Sequence, residues 1–120
     1  MKAVVCKQFG PPRSLVVEEV PAPRLKAGQV RIEVHAAGVN FPDVLIIQDK
    51  YQFKPPLPFT PGGEVAGVVR ELGEGVSGLA AGARVLASTG WGGFAEEIVA
   101  DASRVVAIPD AMDFPTASAL

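Results

Sequence analysis

Short apolar runs, broken by glycine and proline, dominate the chain and predict strands rather than long helices. Thirteen glycines and eleven prolines separate these runs, and such residues mark the turns between strands. Between residues 29 and 38, Val30, Ile32, Val34 and Ala36 alternate with polar side chains, the period-2 pattern of a sheet with one buried face. Strands are predicted at residues 2–8, 15–20, 29–38, 65–72, 84–88, 94–100 and 105–108.

Two segments depart from this pattern and predict short helices, at residues 40–47 and 113–120. Each begins with a cap-type residue, Asn40 or Asp113, and has a proline early in the helix, which are helix-start signals. The second segment has no C-terminal stop signal, so we expect the polypeptide to continue beyond Leu120. Because residues 65–69 are continuously apolar, we expect a strand covered on both faces or closed into a small barrel.

Composition argues against several classes of protein, including nucleic-acid-binding and membrane-spanning proteins. The 120 residues fit one domain, and a net charge of -2 without a basic run argues against nucleic-acid binding. No run approaches the ~20 apolar residues of a membrane span. The single cysteine, Cys6, and the single histidine, His35, exclude an internal disulfide and predict no structural zinc. We expect a cytoplasmic protein in which Cys6 is buried and His35 lies on the outer face.

The segment from Gly38 to Gly67 has the composition of a small-molecule site. Asn40 carries an amide that both donates and accepts hydrogen bonds, and the proline-stiffened loop after the helix brings Tyr51 and Phe53 toward the same cleft. The pair Gly62–Gly63 allows backbone to approach closely where a side chain would collide. These features predict a concave, mostly apolar pocket with few polar groups.

Each of these residues also has an ordinary structural interpretation. Asn40 is suited to be a helix N-cap, a role compatible with a second one in a site. Tyr51 fits a half-buried aromatic with a hydrated hydroxyl. Glu64, set among glycine and apolar residues, fits a hydrogen-bonded structural carboxylate better than a general acid. Trp91, flanked by glycines, fits either a cleft-lining residue or the anchor of a loop.

Four motifs in the same order carry a resemblance that spans nearly the whole chain. They are GVNFPD, PLPFTPGGEVAGVV, GVSGLAAGARV and GWGGFAEEIVADASRVVAIPD. In this order they resemble the N-terminal domain of the zinc-independent quinone oxidoreductases, within the medium-chain dehydrogenase/reductase superfamily. The resemblance implies a mainly β, GroES-like, partly open barrel with one or two short helices, covering residues 1–120 and supplying the substrate side of a cleft.

The resemblance also implies a reaction and a set of site residues. In the parent enzyme a Rossmann domain, absent from these 120 residues, would hold NADPH, and a hydride would pass to a quinone or enone in a homodimer. Asn40 and Tyr51 would contact the reacting groups and the cofactor. Gly63 would adjoin the cofactor, and Phe53 and Trp91 would line the substrate pocket.

The same resemblance predicts that no metal is bound. Zinc-dependent relatives carry a cysteine where this chain has Asn40 and a histidine where it has Gly63, so two of three catalytic ligands are missing. Two other functions remain open at this point: a substrate-binding or interaction module only, and a co-chaperonin-like structural barrel. A heptameric mass and a mobile hydrophobic loop would mark the latter.

Overall fold

The computed structural model describes residues 1–52 and 54–119 of the chain. It consists mainly of short strands, with two short helices. In chain order the elements are β1 (Lys2–Val5), β2 (Val16–Glu19), β3 (Gln29–Gly38), α1 (Phe41–Ile47), β4 (Glu64–Leu72), β5 (Arg84–Ser88), β6 (Glu97–Asp101), β7 (Val105–Ala107) and α2 (Phe114–Ser118).

The strands form two antiparallel sheets that together make an open barrel. Five strands lie in the order β6–β3–β4–β5–β7, and β1 pairs with β2. Isolated bridges at Ala3–Ala95 and Cys6–Phe59 attach the small sheet to the rest of the fold. Within the described ranges the larger sheet does not close on itself. The prediction of a mainly β, partly open barrel with two short helices is therefore confirmed.

Strand β3 lies inside the larger sheet and shows the alternation that predicted it. Val30 and Ile32 are fully buried, and they pack in a core formed by β3, β4, β5, β6 and β7. Register shifts between Arg31 and Ile32 and between Val34 and Ala36 interrupt the ladder with β4. The second half of the strand is only partly buried. His35 is exposed, as predicted.

A second cluster supports α1. Ile46 and Ile47 on this helix pack with Cys6 and Phe59, with Tyr51 at the edge of the cluster. Seven residues make a helix too short to be stable alone, so this packing provides much of its stability. Cys6 is 1 % exposed, which confirms its packing role, and burial raises the pKa of its thiol.

The second helix, α2, lies against β3, β4 and β5. Ala117 on this helix packs with Ala66 and Ile108. Both helices begin within a residue of the predicted positions, while Leu120, the predicted end of the second, lies outside the described residues. No helix in the described part of the chain is long and apolar enough to cross a membrane.

Candidate active site

A small cavity opens where the first turn of α1, the loop after it and the start of β4 meet. Its volume is about 130 Å³. The cavity is lined by Asn40, Pro42, Asp43, Ile46, Tyr51, Gly63, Glu64, Ser88 and Gly90. The structure thus brings together three of the five predicted site residues: Asn40, Tyr51 and Gly63. Phe53, the fourth, lies outside the described residues.

Asn40 occupies the N-cap position of α1, as its cap-type side chain predicted. Its backbone is extended, with φ −125° and ψ 162°. The backbone N–H of Asn40 donates to Asp43 Oδ2 at 2.8 Å, one arm of a capping box. A Cβ built on Gly38 would lie 3.5 Å from Asn40 Nδ2 and 3.6 Å from Glu64 Oε2. The amide and the carboxylate therefore flank the same point at the end of β3.

The two adjacent glycines permit the close backbone approach that was predicted. Gly62 has φ +104°, and a Cβ there would lie 2.6 Å from Phe94 Cδ1. The neighbouring Gly63 presents its carbonyl oxygen to the Thr89 N–H at 2.7 Å. These contacts hold the loop before β4 against the loop after β5, which closes one side of the cavity.

Glu64 is the first residue of β4, where it pairs with Gly38 of β3 and Ser88 of β5. It is half-buried. No side chain or backbone group in the described ranges donates a hydrogen bond or forms an ion pair with its carboxylate. The predicted hydrogen bond to this carboxylate is therefore not seen among the described residues, while the choice between a structural carboxylate and a general acid stays a prediction.

Trp91 lies apart from this cavity. Its side chain is 40 % exposed and lines two surface grooves of about 450 and 460 Å³, both of which also include Val99 of β6. Its neighbour Gly90 lines both the cavity and one of these grooves. Trp91 is not among the described residues that line the cavity with Asn40 and Tyr51, and its role in a substrate pocket stays a prediction.

Sequence reasoning missed part of the lining. Asp43 is not among the site residues predicted from sequence, yet it is 6 % exposed and lines the cavity. Ser88 comes from β5 because that strand pairs with β4. The capping-box spacing of Asn40 and Asp43 is a sequence signal that could have identified Asp43. No local signal marks Ser88.

The charges around the cavity limit what it can bind. Its carboxylates are Asp43 and Glu64, and no lysine, arginine or histidine is found among the described residues that line it. Phosphate groups need cationic or N–H donors, so this surface is suited to an uncharged ring and not to phosphates. His35 is held elsewhere, with Nε2 3.4 Å from Glu33 Oε1 and its ring centroid 4.6 Å from that of Phe114.

Comparison with known proteins identifies the domain. Residues 26–110 match the alcohol dehydrogenase GroES-like domain. The chain belongs to this family. It is 45% identical over 121 residues to a quinone oxidoreductase-like protein 2 homolog from Nematostella vectensis, covering 99% of this chain and 33% of that protein. The sequence resemblance to the quinone oxidoreductase branch is confirmed.

Solved structures share this GroES-like domain. The human synaptic vesicle membrane protein VAT-1 homolog-like protein superposes with a TM-score of 0.96 at 35% identity, over 100% of this chain and 39% of that one. Escherichia coli quinone oxidoreductase complexed with NADPH superposes with a TM-score of 0.93 at 28% identity, over 99% and 36%. The chain thus spans between a third and two fifths of the length of these proteins.

Proposed function

We propose that this GroES-like domain is the substrate-side wall of the active site of an NADPH-dependent oxidoreductase that reduces a quinone or an enone without zinc. One observation carries the proposal: Asn40, Tyr51 and Gly63, each selected from sequence, line one cavity. The relatives named quinone oxidoreductase give the class of reaction.

The size of the cavity supports a site completed by another domain. Pockets for small molecules usually enclose about 300–1,000 Å³, whereas this one encloses about 130 Å³. It is large enough to be one wall of a site for a flat ring. We propose that a Rossmann domain of the parent polypeptide supplies the opposite wall and that the parent is a cytosolic homodimer.

The residues present fit one end of NADPH. The Asn40 amide can donate to and accept from the nicotinamide or its ribose, Tyr51 offers a flat face, and Gly63 leaves space for a ring. The two carboxylates lining the cavity would repel the phosphates, which the other domain must therefore bind. When bound, this cofactor supplies the hydride.

The work left to this domain is positioning and exclusion of water. Asn40 and Tyr51 would hold the ring so that the donor and acceptor carbons lie about 3–3.5 Å apart. Pro42 and Ile46, which also line the cavity, would keep water from the reacting atoms. Acid–base demands on the protein are small, because a reduced quinone oxygen can take its proton from solvent or a nearby hydroxyl.

Ligand chemistry at the same positions supports the proposal that no metal is needed. A catalytic zinc needs three protein ligands drawn from thiolate, imidazole and carboxylate. Asn40 offers an amide and Gly63 offers no side chain, which leaves Glu64 as the only carryover from the zinc-dependent pattern. In the described ranges, no three His, Cys, Asp or Glu side chains are grouped to hold a metal ion.

The test uses the full-length polypeptide, with NADPH oxidation followed by absorbance. We expect reduction of 1,4-benzoquinone or an enone that EDTA does not inhibit. Asn40→Ala should lower kcat/KM about tenfold, the value of one lost hydrogen bond. Gln48→Ala is the matched control: Gln48 is an amide residue at the opposite end of α1, and its loss should leave kcat/KM unchanged.

Two outcomes would contradict different parts of this proposal. Full-length protein without NADPH-dependent activity on either substrate class would remove the reaction, and unchanged kinetics in Asn40→Ala would remove Asn40 from the site. The 120-residue chain alone should show no turnover. Calorimetry that detects micromolar NADPH binding by this chain would contradict the need for a second domain.

A further inference from the structure

We infer that Asp43 is a positioning residue of this site, which acts on Asn40 through the backbone and does not itself touch the reacting groups. The inference rests on the proposed function for its kinetic consequence, although its structural part is independent of it. Asp43 and Ser118 are the buried polar residues in the described part of the chain. The Ser118 hydroxyl donates to the Pro115 carbonyl of its own helix at 2.9 Å, whereas Asp43 bonds back to a site residue.

The contact between Asp43 and Asn40 is reciprocal. The Asn40 N–H donates to Asp43 Oδ2 at 2.8 Å, and the Asp43 N–H donates to the Asn40 carbonyl at 3.1 Å. The pair therefore closes a small ring at the first turn of α1. This ring holds Asn40 in its extended conformation, with φ −125° and ψ 162°, and so fixes the direction in which its side chain leaves the backbone.

Asp43 lies between the active-site cavity and a second cavity. On one side it lines the active-site cavity. On the other it lines a second cavity of about 110 Å³ whose other walls are apolar. Those walls are Pro12, Leu15, Val39, Val44, Ile47, Pro61 and Phe94. Removal of the carboxylate would leave the Asn40 N–H without its acceptor within the protein.

A buried carboxylate is unusual at this position, because burying a carboxylate costs free energy unless hydrogen bonds compensate for it. The N-terminus of α1 favours negative charge, but only modestly. The bond to Asn40 uses the backbone, so the cap persists whatever the Asn40 amide binds. Asp43 thereby lets Asn40 be both a helix N-cap and a ligand-contacting residue.

The kinetic test compares three substitutions in the full-length polypeptide. Asp43→Asn keeps an acceptor oxygen and should retain kcat within about threefold. Asp43→Ala removes the acceptor, and Asp43→Leu removes it while filling the space toward the apolar cavity. Both should lower kcat about tenfold with KM little changed, because misplacement of Asn40 affects the transition state more than binding. Asp43→Leu also covers the case in which the alanine variant does not fold.

A double-mutant cycle shows whether Asp43 acts through Asn40. In an Asn40→Ala background, Asp43→Leu should cause no further loss of kcat, because the side chain that it positions is gone. Losses that multiply instead, so that the double variant is about a hundredfold slower, would overturn the inference.

Amide hydrogen exchange in the 120-residue chain tests the structural part without any enzyme assay. The Asn40 amide should exchange at least about tenfold faster in Asp43→Leu and at the wild-type rate in Asp43→Asn. Asp113→Ala, which removes the cap of α2, should leave Asn40 unaffected. Unchanged exchange in Asp43→Leu would overturn the inference. If the full-length protein lacks quinone or enone reduction, the proposed function fails while this exchange measurement still decides the role of Asp43.

Discussion

The two helices of this domain begin with nearly the same four residues, yet their first turns are built differently. Asn-Phe-Pro-Asp precedes and opens α1, and Asp-Phe-Pro-Thr precedes and opens α2. In α1 the carboxylate is at the fourth position and bonds back to the cap N–H. In α2 the carboxylate is the cap itself and accepts the Thr116 N–H at 2.8 Å. A shared start signal therefore specifies a helix but not what its cap is used for.

The phenylalanines at the second position differ as well. Phe41 in α1 is 74 % exposed. Phe114 in α2 is half-buried, with the Arg84 guanidinium carbon 4.4 Å from its ring centroid. Arg84 also donates to the carbonyls of Pro109, Asp110 and Met112. The start of α2 is thus fixed by the sheet, whereas the start of α1 faces outward and its polar groups line the cavity.

Gly38 lies between the end of α2 and the N-cap of α1, and its substitution should have a larger effect than those at Phe114, Asp113 and Phe41. A Cβ there would lie 2.7 Å from the Ser118 carbonyl oxygen, a backbone atom that cannot rotate away. Gly38→Ala should lower the free energy of unfolding by about 2–3 kcal/mol through overpacking, measured as a lower urea midpoint with an unchanged slope.

Gly10→Ala provides the control, because its nearest neighbour is the Ser14 hydroxyl at 3.0 Å, a side-chain atom that can move. The control should change stability by less than about 0.5 kcal/mol. An equal decrease in the free energy of unfolding in the two variants would mean that α2 does not pack closely against β3 at Gly38.

Phe114→Ala should have the next largest effect. It removes a half-buried ring and the cation–π contact with Arg84, for a loss of about 2 kcal/mol. The consequence should be local: amide exchange should accelerate at residues 114–118 and remain unchanged in α1. Acceleration in both helices would show that the two starts are coupled and that the contrast between them is wrong.

Much of the fold could be predicted because its signals are local. Alternation in β3 and the cap–Phe–Pro signals are read within a few residues, and all of these elements were confirmed. The sixth strand was predicted at residues 94–100 but begins at Glu97. Its predicted first residues instead pair with β1, where the Val4 N–H donates to the Phe94 carbonyl and the Glu96 N–H to the Lys2 carbonyl. Such distant pairing leaves no local pattern.

In the candidate site too, residues that are close in sequence could be predicted together, whereas residues brought in by distant strand pairing could not. Asn40, Tyr51 and Gly63 come from one continuous segment, so a local interpretation could place them together. Ser88 lines the cavity because β5 pairs with β4, a contact between segments that are distant in sequence. The buried Asp43 was underestimated because burial of a charged side chain is not visible in a hydrophobic pattern.

Acid should weaken the start of α2 in a way that can be assigned to Asp113. Hydrogen bonding by Thr116, through its side chain and then its backbone N–H, lowers the pKa of Asp113 in the folded protein. Because the folded pKa lies below the unfolded one, the stabilisation is present above the unfolded pKa of about 3.9 and is lost as pH falls through the folded pKa.

Asp113→Asn keeps a capping oxygen but does not titrate, so its unfolding curve should lose part of the acid dependence. NMR titration of the carboxyl carbon should give a pKa below the usual range. A second acid-sensitive group must be separated from it, since the bond from Arg70 lowers the pKa of Glu33; Glu33→Gln removes that contribution. An ordinary pKa for Asp113 would show that α2 does not depend on this cap.

Phe41→Ala should have the smallest effect in the 120-residue chain. A side chain that is 74 % exposed contributes little packing, so the free energy of unfolding should change by less than about 0.5 kcal/mol, against about 2 kcal/mol for the matched Phe114→Ala. A large exposed aromatic directly after Asn40 is positioned to be covered by the second domain proposed above. The same substitution in the full-length polypeptide should therefore cost about 1 kcal/mol or more, read from denaturant unfolding of both proteins. Equal, small effects in the two lengths would leave Phe41 at the solvent and place the domain contact elsewhere.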